Sequence, residues 1–167
     1  YLSIPAIKTG LNFLQSVGMG RLQERIQDLQ LFAVEMLKSL RHTSGVPIVE
    51  IYGPKDRSIC GGTITMCFQN SLGEKIHFRK IEEKAAALGF SIRAGCFCNP
   101  GVDEYFHKLS AEVLNDYFAN HSTGDYDHLL ETTGMNRGAV RISFGIASRR
   151  KDIVEFAKFV NSWKDKV

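Results

Sequence analysis

The chain has 167 residues, of which 44% are hydrophobic and 23% charged, the composition of a globular protein with one core of ordinary size. Its formal net charge of +3 comes from 21 basic and 18 acidic residues spread along the sequence without a basic tract, which argues against nucleic-acid binding. No apolar run approaches the roughly 20 residues of a membrane-spanning helix and no signal peptide is recognisable, so we expect a cytoplasmic protein that does not bind membranes.

The cysteine pattern is typical of reduced thiols. The four cysteines are Cys60, Cys67, Cys96 and Cys98. In a chain without secretory features, such cysteines indicate free thiols rather than a disulfide framework. A single residue separates Cys96 from Cys98, where zinc-binding pairs usually have about two to four, and no second Cys or His pair follows at a suitable distance. We therefore expect no metal site.

The N-terminal quarter of the chain has the periodicity of two helices. Ser3 and Pro5 are typical of a helix start, and Gly18 of a helix end. From about Arg21 to Arg41, apolar residues recur at helical spacing between charged ones, which predicts a long amphipathic helix. A helix of this kind can connect two domains or lie across one.

The rest of the chain alternates between short β-branched runs and amphipathic ones. The predicted strands are Val46–Tyr52, Gly61–Phe68, Phe90–Arg93 and Ala139–Phe144. The predicted helices are Phe78–Leu88, Ser110–Ala119 and a closing helix capped by Ser148. This order predicts an α+β fold in which a small, partly antiparallel sheet is covered by helices on one side and preceded by a long linking helix.

Two segments can carry chemistry. The sequence RAGCFCNPG, residues 93–101, predicts a loop after a strand, and a thiol on a loop near an arginine has its reactive thiolate form favoured. In the last predicted strand, GAVRISFG, Arg141 lies among apolar residues, which is costly unless its guanidinium meets a carboxylate or phosphate. The sequence leaves open whether that partner is a ligand or a structural salt bridge.

Together these segments resemble a known family. RAGCFCNPG, preceded by EEKAAALGFSI, and GAVRISFG are similar to the C-terminal domain of molybdenum cofactor sulfurases. More broadly, they are similar to fold-type I pyridoxal-phosphate enzymes of the class V aminotransferase and cysteine desulfurase group. The opening YLSIPAIKTGLNFLQSVGMGRLQERI resembles the stretch that crosses from the large cofactor domain to the small one. The resemblance implies linking helices over residues 1–42 and a small C-terminal α/β domain over residues 43–167.

The resemblance also implies roles for individual residues. Cys98 matches the catalytic cysteine of the desulfurases, which attacks the sulfur of a substrate cysteine and becomes a persulfide. Arg141 matches the arginine that binds the substrate α-carboxylate, and Arg93 matches a second arginine near it. Cys96 and Asn99 are possible accessory residues.

The cofactor that the resemblance implies is pyridoxal 5′-phosphate, whose Schiff-base lysine belongs to the large domain. In this chain the His-Lys pair at 107–108 lacks the serine context of that lysine motif, so we expect no cofactor-binding residue here and no activity of this segment alone. For the full-length enzyme, the resemblance implies a homodimer and an amino-acid substrate, with L-cysteine favoured. The sulfur acceptor is not identified by the sequence.

Three functions from different classes remain open at this point. The first is sulfur mobilisation through a persulfide on Cys98, and the second is a transaminase, lyase or epimerase of the same class without a cysteine nucleophile. The third is a non-catalytic binding or dimerisation module. A reactive thiolate at Cys98 separates the first from the second, and a lysine domain elsewhere in the protein separates both from the third.

Overall fold

The computed structural model describes residues 3–95, 97, 110–121, 128–129 and 138–166. The helices are α1 (Ile4–Val17), α2 (Met19–Ser39), α3 (Phe78–Ala87), α4 (Ala111–Asn120) and α5 (Arg150–Asn161). The strands are β1 (Val49–Tyr52), β2 (Thr63–Phe68), β3 (Arg93–Gly95) and β4 (Ala139–Ser143), and a 3-10 turn covers Arg57–Ile59. Among these residues, none of the helices combines the length and the apolar character that crossing a membrane requires.

The strands form one sheet in the order β1-β2-β4-β3. Neighbouring strands are antiparallel in each of the three pairings between them. Strands β2 and β4 therefore lie at the centre and are distant in sequence, while β1 and β3 form the edges. The predicted α+β fold with a small sheet is confirmed, and the described sheet is antiparallel throughout.

One face of the sheet is buried against helices. Because side chains alternate along a strand, Ile64, Met66 and Phe68 of β2 all point to the same face, and each is at most 1% exposed. The helices that cover this face contribute Leu29, Ala33 and Leu37 from α2, Ile81 and Ala85 from α3, and Ile153, Phe156 and Val160 from α5. The prediction that helices cover the sheet on one side is confirmed.

The third strand begins later in the chain than the sequence predicted. The backbone N–H of Phe90 donates to the carbonyl of Ala85 at 2.9 Å, which completes the end of α3. The Phe90 ring packs against the helix-covered core. Strand pairing starts at Arg93, opposite Arg141, so the predicted strand overlaps the observed one by a single residue.

The start of α5 also differs from the prediction. The helix begins at Arg150, and the carboxylate of Asp152 accepts a hydrogen bond from the backbone N–H of Arg149 at 2.9 Å. Ser148 lies before the helix, where its Oγ accepts from the backbone N–H of Gly145 at 3.0 Å. The hydroxyl of Ser148 therefore closes the turn after β4, and the prediction that Ser148 caps the helix was wrong.

The start of β2 lies in close contact with α2. A Cβ atom on Gly62 would lie 2.6 Å from Cγ2 of Ile26 and 2.9 Å from the backbone oxygen of Phe144. Beside it, Nε2 of the fully buried Gln30 donates to the carbonyl of Gly61 at 2.6 Å. Glycine at position 62 thus lets α2 and the end of β4 approach the first residues of β2.

We predict that Gly62→Ala lowers the free energy of unfolding by about 1–3 kcal/mol, because the added methyl group meets a backbone oxygen that cannot rotate away. Gly61→Ala is the matched control, since nothing lies within 4 Å of a Cβ atom at that position. Urea unfolding of both variants measures the difference. Equal losses of stability in the two variants would contradict the packing described here.

Candidate functional site

The candidate site lies on the sheet face that α2, α3 and α5 do not cover. Residues directly opposite each other on antiparallel strands have their side chains on the same face. The register pairs Arg93 with Arg141, Arg141 with Thr65, and Thr65 with Tyr52. These four residues therefore form one row across the whole sheet, which we call the arginine row.

The structure brings together the two arginines that the resemblance singled out. Arg93 is exposed at the edge strand and Arg141 is half-buried on the central strand β4. The guanidinium carbons of Arg141 and Arg93 lie 5.2 Å and 6.0 Å from the centre of the Phe97 ring. Two like charges opposite each other on adjacent strands are destabilising, so the pair favours an anion or an aromatic face nearby.

The sequence predicts that the Arg141 guanidinium has an anionic partner. None of the described acidic side chains forms an ion pair with it. The described ion pairs join other residues, and within this part of the chain the buried Nε of Arg141 has no hydrogen-bond partner. A buried donor left unpaired costs about 1–3 kcal/mol, whereas a cation–π contact contributes about 0.5–2 kcal/mol. The Phe97 ring offsets some of that cost, but within the described residues Nε donates no hydrogen bond and stays available as a donor.

A small buried cluster shares Tyr52 with the arginine row. It consists of Tyr52, Cys67 and Ala139, with the partly buried Phe97 packed against them. The Cys67 thiol donates to the carbonyl of Gly138 at 3.5 Å. The cluster gives the Phe97 side chain a fixed apolar surface close to the two arginines.

Tyr52 is a neutral phenol in this cluster. Its hydroxyl donates to Oε2 of Glu50 at 3.2 Å. Burial raises the pKa of Tyr52, and the neighbouring Cys67 and Glu50 add to the increase. At neutral pH Tyr52 therefore adds no charge to the arginine row and acts as a hydrogen-bonding residue at its far end.

The cysteine-containing segment 96–101, which the sequence predicts to be a loop and which we call the thiol loop, follows β3 directly in the chain. Gly95 has a φ of 110°, a conformation that glycine adopts without strain, and Phe97 has a φ of 57°, which is uncommon for a large side chain. Cys98, the candidate nucleophile, lies outside the described residues, as do Cys96 and Asn99. The roles of these three residues remain predictions.

The other described thiols and acidic groups do not form a metal centre. Cys60 and Cys67 are free thiols. Within the described ranges, no group of three or more His, Cys, Asp or Glu side chains is arranged to bind a metal ion.

Sequence comparison relates the chain to one group of curated proteins. It is 32% identical to a molybdenum cofactor sulfurase of Drosophila mojavensis over 97% of the chain and 22% of the relative. Identity is 30% to a molybdenum cofactor sulfurase of Arabidopsis thaliana, over 97% of the chain and 20% of the relative. The chain is homologous to part of the molybdenum cofactor sulfurases. It spans about a fifth of their length. No protein-family model matches it.

Structural comparison shows which known fold this chain shares. The apo structure of a cysteine desulfurase from Thermococcus onnurineus NA1 superposes with a TM-score of 0.62 at 16% identity, and the match covers 95% of this chain and 30% of that one. This sulfurase homologue therefore has the fold of part of a cysteine desulfurase. The predicted resemblance of the chain to molybdenum cofactor sulfurases is confirmed, as is its desulfurase-like fold.

Sequence reasoning missed Tyr52, Cys67 and Phe97 as members of the site. One signal was available in β2, where Thr63, Thr65 and Cys67 alternate with large apolar residues, so the strand has a second face that is not core. The position of Phe97 over the two guanidinium groups depends on the register of β3 with β4. That register is a tertiary feature without a local sequence signal.

We predict that ionisation of Tyr52 destabilises the folded chain at alkaline pH. Because the pKa of Tyr52 is raised above the ordinary value of about 10, its contribution to the free energy of unfolding is complete below about pH 10 and decreases as the pH rises further. Urea unfolding from about pH 8 to 11 should show a steeper loss for the unsubstituted chain than for Tyr52→Phe, which cannot ionise. Parallel pH profiles would contradict the burial of a neutral phenol at this position.

Proposed function

We propose that this chain is the C-terminal part of a pyridoxal-phosphate enzyme that mobilises sulfur from L-cysteine through a persulfide on Cys98. The observation that supports this proposal most directly is the pairing of Arg93 with Arg141 beside the start of the thiol loop. The homology to molybdenum cofactor sulfurases and the desulfurase fold support it independently.

The arginine row fits the carboxylate of an amino-acid substrate. Arg141 offers a buried Nε without a described hydrogen-bond partner, and a guanidinium can donate two parallel hydrogen bonds to one carboxylate. Arg93 adds a second positive charge at the more exposed edge of the site. The two arginines would fix the amino acid at one end and leave its side chain free to approach the thiol loop.

Pyridoxal phosphate, when bound, supplies an electron sink for bonds at the substrate's carbon atoms. We assign the lysine that binds it to a large domain outside this chain, since the donor set described here suits an anionic substrate group. The exposed apolar residues of α1 support the presence of a separate large domain. Ile4, Ile7, Leu11 and Phe13 are each more than half exposed, and we propose that α1, within the linking segment 1–42, packs against the large domain.

In the proposed reaction Cys98 acts as the nucleophile. Cys98 follows Arg93 by five residues in the sequence, and a nearby positive charge favours a thiolate. In this proposal the Cys98 thiolate attacks the sulfur of the bound L-cysteine. A sulfur–sulfur bond forms, the carbon–sulfur bond of the substrate breaks, and its electron pair stays with the substrate carbon, which then takes up a proton. The sulfur remains on Cys98 as a persulfide until an acceptor removes it.

The paired cysteines of the loop give a direct test in the full-length protein supplied with L-cysteine. We expect Cys98→Ser to abolish persulfide formation and sulfide release, because serine cannot carry the transferred sulfur. The matched variant Cys96→Ser should retain a measurable fraction of both. Persulfide is located by mass spectrometry of alkylated peptides, and sulfide release is measured under reducing conditions.

Two outcomes would change the proposal in different ways. Full sulfide release by Cys98→Ser would contradict the persulfide mechanism, and the chain would then belong to a transaminase, lyase or epimerase without a cysteine nucleophile. Loss of activity in Cys96→Ser alone would show that the nucleophile lies two residues earlier in the loop.

A further inference from the structure

Phe97 lies at the junction of the two parts of the proposed site. In the sequence it stands between the two loop thiols, and its ring lies over the guanidinium groups of both Arg141 and Arg93. The ring also packs against the buried cluster of Tyr52, Cys67 and Ala139. A single side chain therefore contacts both arginines and the buried surface beside them.

The backbone at Phe97 indicates that this placement is maintained by its surroundings. A non-glycine residue with a φ of 57° is strained, and such residues persist when neighbouring contacts fix them. The described contacts that can do so are the apolar packing and the two cation–π interactions.

The Arg141 guanidinium needs an orienting group. Its Nε has no hydrogen-bond partner among the described residues, and Arg93, directly opposite, repels it. The π face of Phe97 attracts a guanidinium and sets the plane in which it lies. Bidentate recognition of a carboxylate depends on that plane, because both N–H groups must point to the same ligand.

We propose that Phe97 is a positioning residue that orients Arg141, and secondarily Arg93, to bind the carboxylate of the amino-acid substrate. This inference rests on the proposed function and extends it. It assigns a role to Phe97, which has no reactive group and stands between the two thiols in the sequence. The aromatic ring is the required feature, so an aliphatic side chain of similar volume cannot replace it.

The test compares Phe97→Leu, which keeps the apolar packing but removes the π face, with Phe97→Tyr, which keeps both. In the full-length holoenzyme, Phe97→Leu should raise the KM for L-cysteine and the dissociation constant for L-alanine about 3- to 30-fold, the range that a cation–π contact supplies. The kcat for sulfide release should change less than twofold, and Phe97→Tyr should restore both constants to within about threefold of the original. L-Alanine binding is measured by calorimetry, so this readout needs no sulfur chemistry.

The same substitution at an exposed phenylalanine, Phe118→Leu in α4, is the control for a general effect of losing a ring. Unchanged L-alanine binding in Phe97→Leu would overturn the inference, as would a loss of kcat with unchanged KM, which would mean that the ring acts on the thiol loop instead. Absence of L-alanine binding in the unsubstituted enzyme would also overturn it. Failure of the unsubstituted enzyme to release sulfide, with L-alanine binding still weakened by Phe97→Leu, would reject only the proposed function.

Discussion

Arg93 and Arg141 lie opposite each other on adjacent antiparallel strands, and this juxtaposition of two positive charges constrains the rest of the site. The repulsion between the two guanidinium groups destabilises the folded chain, and so does the buried Nε of Arg141, which has no hydrogen-bond partner among the described residues. The compensation within the described residues is the ring of Phe97, which faces both guanidinium groups. Two adjacent positive charges and a donor without an acceptor suit the binding of an anion, because an anion would offset the charge and accept the hydrogen bond.

The fold tolerates the two opposed arginines because they lie on a different face of the sheet from the apolar core. The face covered by α2, α3 and α5 contains the apolar core, and its burial stabilises the strands regardless of what the other face carries. The close contacts of Gly62 and Gln30 fix α2 against the start of β2. The second face can then carry arginines, a buried thiol and a tyrosine whose pKa is raised by burial, without disturbing the core.

The sequence predicted the parts of this fold that have local signals. Alternating and β-branched runs located β1, β2 and β4, and helical periodicity located α2, α3 and α5, because these patterns reflect burial on one face. The short edge strand β3 was placed about three residues too early. Competition between local contacts decided the ends of elements, as where Ser148 closes a turn instead of capping α5. Pairing register has no local signal, so the opposition of Arg93 and Arg141 and the position of Phe97 emerged only from the structure. Cys98 was assigned by resemblance to the desulfurases and stays a prediction.

The central claim is that the arginine row binds the carboxylate of the substrate. The most direct measurement is a crystal structure of the full-length holoenzyme with L-alanine bound. The account predicts that the alanine carboxylate lies within hydrogen-bond distance of the Arg141 guanidinium, on the sheet face that α2, α3 and α5 leave uncovered. A carboxylate bound elsewhere, with Arg141 paired to an acidic side chain of the protein, would contradict it.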